Sequence, residues 1–115
     1  ISHGGLLVTL AEMMIAGAPD PRGCRVDLTG IVPDGDAAAP YLFGEYGGVV
    51  VEVSSSRWDD FEKCVAANGA TSILLGEATE DASLVIKWGG EEIKVTAADI
   101  DSAHRVNGKC NPLFA

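Results

Sequence analysis

The sequence is poor in cysteine and histidine, and neither residue type is spaced as a metal site requires. The three cysteines, Cys24, Cys64 and Cys110, are far apart and odd in number, so neither a disulfide framework nor a cysteine-based metal site is expected. We interpret them as reduced thiols of a cytoplasmic protein. The two histidines, His3 and His104, have no cysteine or acidic residue at ligand spacing on an obvious shared face, so the sequence predicts no zinc site.

Basic residues and long apolar stretches are also scarce. No uncharged stretch approaches the ~20 residues that span a bilayer. The helix-like run at 4–18 lacks a basic start and contains Glu12, so we do not interpret it as a signal peptide. Eight basic against seventeen acidic residues give a net charge of −9. An acidic surface repels phosphate backbones and anionic lipids, so we expect neither nucleic acid nor membrane as a partner. A nucleotide ligand is still compatible with this acidic composition, because backbone N–H groups can bind phosphates.

The composition, with 47% hydrophobic residues, is typical of one compact domain that spans residues 1–115. Leu6, Leu10 and Met14 recur at helical spacing and predict a largely buried helix. Alternating or β-branched runs predict strands, and Gly89-Gly90 predicts a hairpin turn. The predicted strands are 24–29, 49–53, 73–75, 84–88 and 91–95, and further helices are predicted at 37–43, 56–68 and 98–105.

This order predicts an α+β domain with a mixed sheet of four to five strands covered by helices. The helix beginning at Ser56 is expected to start with a capping box in which Asp59 replaces the usual glutamate. Residues 96–115 are expected to form a weakly structured tail.

One segment, Ser2-His3-Gly4-Gly5-Leu6, has the pattern of an anion site. Two glycines directly before a buried helix would let a ligand approach the free N–H groups at its positive end. The alternative is that Ser2 is a helix cap and the glycines serve close packing. The acidic pairs elsewhere are interpreted as solubilising charge, because no calcium-loop spacing is present.

Two segments carry a family resemblance. Residues 1–13, followed by Ala16-Gly17, resemble the motif His-Asp-Val/Ile-Ser-Asp-Gly-Gly-Leu-x-x-x-Leu-x-Glu-Met of phosphoribosylformylglycinamidine synthases. Residues 42–53 are similar to that family's Leu-Phe-x-Glu-Glu-x-Gly-x-Val followed by a strand. The resemblance extends over 1–95, and its main departure is His3 in place of the family's aspartate.

The resemblance implies a fold like the C-terminal domain of aminoimidazole ribonucleotide synthetase, within the second half of a larger enzyme. That enzyme uses ATP, Mg²⁺ and glutamine to convert formylglycinamide ribonucleotide to its amidine. Its partners would be other domains, including a glutaminase, and small-molecule substrates. By resemblance, Ser2, Gly4 and Gly5 border the nucleotide, whereas the Mg²⁺-binding aspartate would precede Ile1. No catalytic residue is expected here, so the domain alone would be inactive.

Two alternatives stay open. One is a related enzyme of the superfamily, such as selenophosphate synthetase, thiamine-monophosphate kinase or aminoimidazole ribonucleotide synthetase. The other is a free-standing binding domain without catalysis.

Overall fold

The computed structural model describes residue 1 and residues 3–104, and it has the predicted α+β architecture. The elements are α1 (Gly5–Ile15), β1 (Gly23–Asp27), α2 (Ala39–Phe43), a 3-10 turn (Ser55–Arg57), α3 (Trp58–Ala67), β2 (Gly76–Thr79), β3 (Ser83–Trp88), β4 (Glu91–Thr96) and α4 (Ala97–His104). Within the predicted tail, α4 is helical, and residues 105–115 lie outside the described part. Of the helices described, none has the length and apolar character needed to cross a membrane.

A single mixed sheet organises the domain. Its strand order is β2-β1-β3-β4. The central pair, β1 and β3, is parallel, and both outer strands run antiparallel to their neighbours. Gly89 and Gly90 join β3 to β4 with positive φ angles of 47° and 83°, which is the geometry that favours glycine in a two-residue hairpin turn. The predicted hairpin is therefore confirmed.

The core lies between one face of the sheet and α1. Alternation along β3 directs Leu84 and Ile86 to this face, and both side chains are almost fully buried. Each contributes about 1.5–3 kcal/mol relative to an exposed position. The buried apolar residues are Leu6, Leu10, Met14, Val26, Leu28, Val32, Ala38, Leu42, Leu84 and Ile86. Helix α1 ends at Ile15, earlier than the 4–18 pattern predicts, and hydrogen-bonded turns continue from it before Pro19.

The opposite face of the sheet is polar. Arg25 and Asp27 of β1 and Lys87 of β3 are exposed, and the Lys87 Nζ lies 3.3 Å from the Glu92 Oε2 across the hairpin. Such exposed pairs contribute little to stability. The described helices therefore have one apolar side of the sheet to cover.

Two strand predictions are wrong in position. Residues 49–53 form no strand, and Val49 and Val51 are 84% and 54% exposed. Residues 73–75 form no strand either, with Ile73 and Leu74 more than 60% exposed. A strand requires a hydrogen-bonding neighbour as well as β-branched residues. The ladder partner of β1 begins one residue later, at Gly76.

The predicted capping box is also wrong. The helix at Ser56 begins instead as a 3-10 turn, and α3 starts at Trp58 with no side-chain cap. The Ser56 hydroxyl lies 3.3 Å from the Ser54 hydroxyl, and Asp60 pairs with Arg57 at 3.5 Å. The contacts of Ser54 with Ser56 and of Arg57 with Asp60 are therefore present instead of the two reciprocal hydrogen bonds of a capping box.

Candidate functional site: the amino-terminal end of helix α1

Helix α1 begins with two residues in the left-handed region. Gly4 is its N-cap, with φ of 85°, and Gly5 has φ of 75°. Because Gly4 has no side chain, no side-chain cap satisfies the first N–H groups of the helix. The Thr9 hydroxyl donates to the Gly5 carbonyl at 2.9 Å, one turn further on. The start of α1 therefore presents backbone donors at the positive end of the helix.

A carboxylate from a distant part of the chain occupies this end. The Gly4 N–H donates to the Glu45 Oε1 at 3.1 Å. Glu45 follows Gly44, whose extended backbone terminates α2 and turns the chain towards α1. The backbone nitrogen of Ile1 also donates to the Gly48 carbonyl in the same stretch. Thus a protein anion lies where the sequence predicts that an anionic ligand binds.

Gly5 holds the two segments together by close packing. It is buried, and a Cβ built on it would lie 2.6 Å from the carbonyl carbon of Phe43 and 2.7 Å from its Cα. No real Cβ fits at that distance. Absence of a side chain at Gly5 therefore allows the end of α2 to contact the start of α1, and both resembling segments meet at this contact.

The three predicted site residues, Ser2, Gly4 and Gly5, differ in what the structure shows of them. Ser2 lies outside the described residues. Gly4 is partly exposed and bonded to Glu45, so its N–H faces an anion. Gly5 is buried, and its missing side chain allows close packing against Phe43. Glu45 was not predicted as a site residue, although it belongs to the second resembling segment. An acidic residue next to a glycine that ends a helix was the available signal.

Metal ligands do not accumulate here. Among residue 1 and residues 3–104, no group of three or more His, Cys, Asp or Glu side chains could hold a metal ion. His3 is exposed. Cys24 and Cys64 are both free thiols, and burial raises the pKa of the half-buried Cys24; Cys110 is outside the described part. Magnesium requires several oxygen ligands, and the described residues do not provide that set.

Shifted carboxyl groups lie elsewhere and have structural causes. The Ser83 hydroxyl, 2.6 Å from the Asp81 Oδ2, lowers the pKa of Asp81, and Lys94 at 3.6 Å adds to the effect. The Thr96 hydroxyl and N–H lower the pKa of Asp99 at the start of α4. These carboxylates stabilise a turn and a helix start.

A shallow depression of about 210 Å³ lies beside the turn between β3 and β4. It is formed by the loop at 32–36 and the hairpin turn, and its lining includes Trp88 together with Asp34, Asp36 and Glu91. Three carboxylates without a basic residue make it unsuitable for phosphate. The α1 end is therefore the better candidate for binding an anion.

Comparison with known proteins identifies a family and a curated relative. The family model described as AIR synthase related protein, C-terminal domain, matches residues 1–89, which include Gly4, Gly5 and Glu45. A curated relative, the "Probable membrane antigen 3" of Saimiriine herpesvirus 2 (strain 11), is 33% identical over 86 residues. The match covers 75% of this chain and 6% of the viral protein. The chain thus spans only a small part of that relative's length.

Proposed function

Because the chain belongs to the family of AIR synthase related proteins, C-terminal domain, we propose that it is part of a phosphoribosylformylglycinamidine synthase. The whole enzyme would convert formylglycinamide ribonucleotide to its amidine in the cytoplasm, with ATP and glutamine. The supporting observation is the contact between the two resembling segments, Gly5 against Phe43 and Gly4 to Glu45. The motif residues that the resemblance selects are therefore neighbours in space.

The role proposed for this domain is to border the phosphates of a nucleotide. The Gly4 N–H at the positive end of α1 can donate to an anionic oxygen in place of the Glu45 carboxylate. Since the described residues lack a metal-ligand group, the Mg²⁺ ligands would be contributed by other domains of the parent enzyme. A glutaminase domain would be a further partner, and nucleic acid and membrane would not. The domain alone would bind weakly and catalyse nothing.

The activity test uses an antibody raised against this 11.9 kDa chain. The antibody should detect a polypeptide many times larger, and the captured polypeptide should form amidine and ADP only when ATP, glutamine and formylglycinamide ribonucleotide are all present. A detected species near the domain's own mass would refute the proposal. A large polypeptide that does not catalyse this reaction would also refute the proposal. This outcome matters because the name of the viral relative states no reaction.

The site itself is tested in the isolated domain by NMR. Titration with Mg·ADP should shift the amide resonances of Gly4 and Gly5 more than those of Gly89 and Gly90 in the hairpin turn. Inorganic phosphate should shift the same amides at higher concentration, because it carries the same anionic oxygens without the nucleoside. Equal shifts in both glycine pairs would argue against a phosphate site at the start of α1.

A further inference from the structure

The carboxyl end of helix α3 is formed by an Asn-Gly pair. Asn68 is the C-cap of α3, with φ of −95° and ψ of 10°, and Gly69 follows with a positive φ of 69°. Both residues are exposed, and nothing lies within 4 Å of the position that a Gly69 Cβ would take. Solvent therefore has access to the Asn68 carboxamide and to the backbone nitrogen that follows it in the chain.

Backbone hydrogen bonds close this end of the helix in the Schellman arrangement. The Gly69 N–H donates to the Ala66 carbonyl at 3.1 Å. The Ala70 N–H donates to the Val65 carbonyl, also at 3.1 Å. These are the two hydrogen bonds with which a glycine in the left-handed conformation ends a helix. The Gly69 nitrogen is therefore held against the last turn of α3.

The Asn68 side chain adds a third hydrogen bond to this end. Its Nδ2 donates to the Cys64 carbonyl at 2.8 Å, and the Asn68 backbone N–H lies 3.2 Å from the same oxygen. The last carbonyls of a helix form its negative end, where a neutral donor is stabilising and a carboxylate is repelled. The cap therefore depends on the carboxamide of Asn68 remaining an amide.

We propose that Asn68 is a site of spontaneous deamidation and that the product opens the end of α3. The Gly69 nitrogen loses its proton and attacks the carbonyl carbon of the Asn68 side chain. A C–N bond forms there, the bond from that carbon to Nδ2 breaks, and ammonia leaves with the proton from Gly69. Water then hydrolyses one of the two C–N bonds of the cyclic imide, which leaves an aspartyl or isoaspartyl residue at position 68. Water is the only co-reactant, and glycine offers no side chain to hinder the attack.

The reaction requires that the last turn of α3 opens. In the closed arrangement, the Gly69 N–H is bonded to Ala66 and the carboxamide is bonded to Cys64, so the two reacting groups have different partners. Opening breaks both bonds. No residue of α3 is fully buried, and the element that α3 contacts most is the 3-10 turn before it. An end of this kind can open without unfolding of the core.

The product cannot restore the original cap. An aspartyl or isoaspartyl residue at position 68 has lost the Nδ2 donor to Cys64, and it brings a negative charge to the negative end of the helix. Because ammonia has left, the change is not reversed in water. Deamidation is therefore a one-way release of the end of α3, and it does not depend on the function proposed above.

Peptide mass spectrometry of the incubated chain tests the site and the route. Two hydrogen bonds must open, so Asn68 should deamidate about five- to 150-fold more slowly in the folded chain than in a peptide of residues 66–72. Asn68→Gln retains a carboxamide but does not position it for a five-membered imide, so it should show no mass gain at position 68. Ala66→Gly weakens α3 and should speed the reaction about two- to fivefold, whereas Ala103→Gly, in α4, should leave the rate unchanged.

Hydrogen exchange tests the consequence for the helix. Asn68→Asp carries the charge of the product and lacks the Nδ2 donor. The Gly69 and Ala70 amides should therefore exchange at least about fourfold faster in this variant than in the wild type. The amides of β3, in the core of the domain, should exchange at unchanged rates.

Four results would overturn the proposal. The first two are deamidation at the rate of the peptide and deamidation slowed by more than about 150-fold. The third is an equal rate at Asn68 in Ala66→Gly and Ala103→Gly, because the reaction would then not depend on opening of α3. The fourth is unchanged exchange at Gly69 and Ala70 in Asn68→Asp, because the cap would then tolerate the product.

Discussion

Replacement of Gly5 by alanine tests the contact that joins the two resembling segments. Gly5 has φ of 75°, and a Cβ there would lie 2.6 Å from the Phe43 carbonyl carbon. The left-handed conformation costs alanine about 1–2 kcal/mol, and displacing the Phe43 backbone costs about 1–3 kcal/mol more. Gly5→Ala should therefore reduce the free energy of unfolding by about 2–5 kcal/mol.

Gly30→Ala is the matched control, because Gly30 has φ of 87° and nothing lies within 4 Å of its Cβ position. It should cost only the backbone part, about 1–2 kcal/mol. Urea unfolding followed by circular dichroism gives both values, provided that the slope with denaturant is unchanged. Equal losses in the two variants would refute the reasoning, since the contact with Phe43 would then contribute nothing beyond backbone strain.

Two further predictions concern titration and thiol reactivity. Since the Thr96 hydroxyl and N–H lower the pKa of Asp99, the carboxylate stabilises the fold above about pH 4, and this contribution is lost as the pH falls through the lowered value. Asp99→Asn should therefore flatten the decline in unfolding free energy between about pH 5 and pH 2, and an unchanged decline would contradict the assignment. Burial raises the pKa of Cys24, whereas Cys64 is exposed. At pH 8, iodoacetamide should modify Cys64 well before Cys24 by peptide mass spectrometry, and equal rates would contradict the burial of Cys24.

Elements that depend on local pattern were predictable from the sequence. The spacing of Leu6, Leu10 and Met14 identified α1, and Gly89-Gly90 identified the hairpin. Each signal lies within one segment and needs no knowledge of a partner. The end of α1 was predicted less well, because the sequence places helix-compatible residues up to the proline at 19.

Strands at the edge of the sheet were not predictable, because pairing decides them. The β-branched residues 49–53 predicted a strand and form none, whereas Gly76–Thr79 forms β2 with little β propensity. Gly76 can approach the Arg25 carbonyl because it has no Cβ, and a Cβ at this position would overlap the carbonyl oxygen. The close approach of β1 thus decides which segment becomes the strand, and composition alone does not contain that information.

The contact between Gly4 and Glu45 was equally hidden, since 41 residues separate them, and it leads to a prediction about ligand competition. A carboxylate at the exposed end of a helix is stabilised by about 0.3–1 kcal/mol. A phosphate that replaces it at Gly4 must overcome that energy, which corresponds to a two- to fivefold loss of affinity.

Glu45→Gln removes the charge but retains an acceptor oxygen, so the fold should be nearly as stable and Mg·ADP should bind about two- to fivefold more tightly in NMR titration. Glu62→Gln, a neutralisation on the exposed side of α3, controls for the change in net charge. If Glu45→Gln weakens binding instead, the carboxylate belongs to the ligand site, where it would contact the bound metal, and Glu45 is not a competitor of the phosphate. Both results require that the start of α1 binds the anionic ligand. Unchanged affinity for Mg·ADP in Glu45→Gln would therefore show that the start of α1 is not part of the binding site.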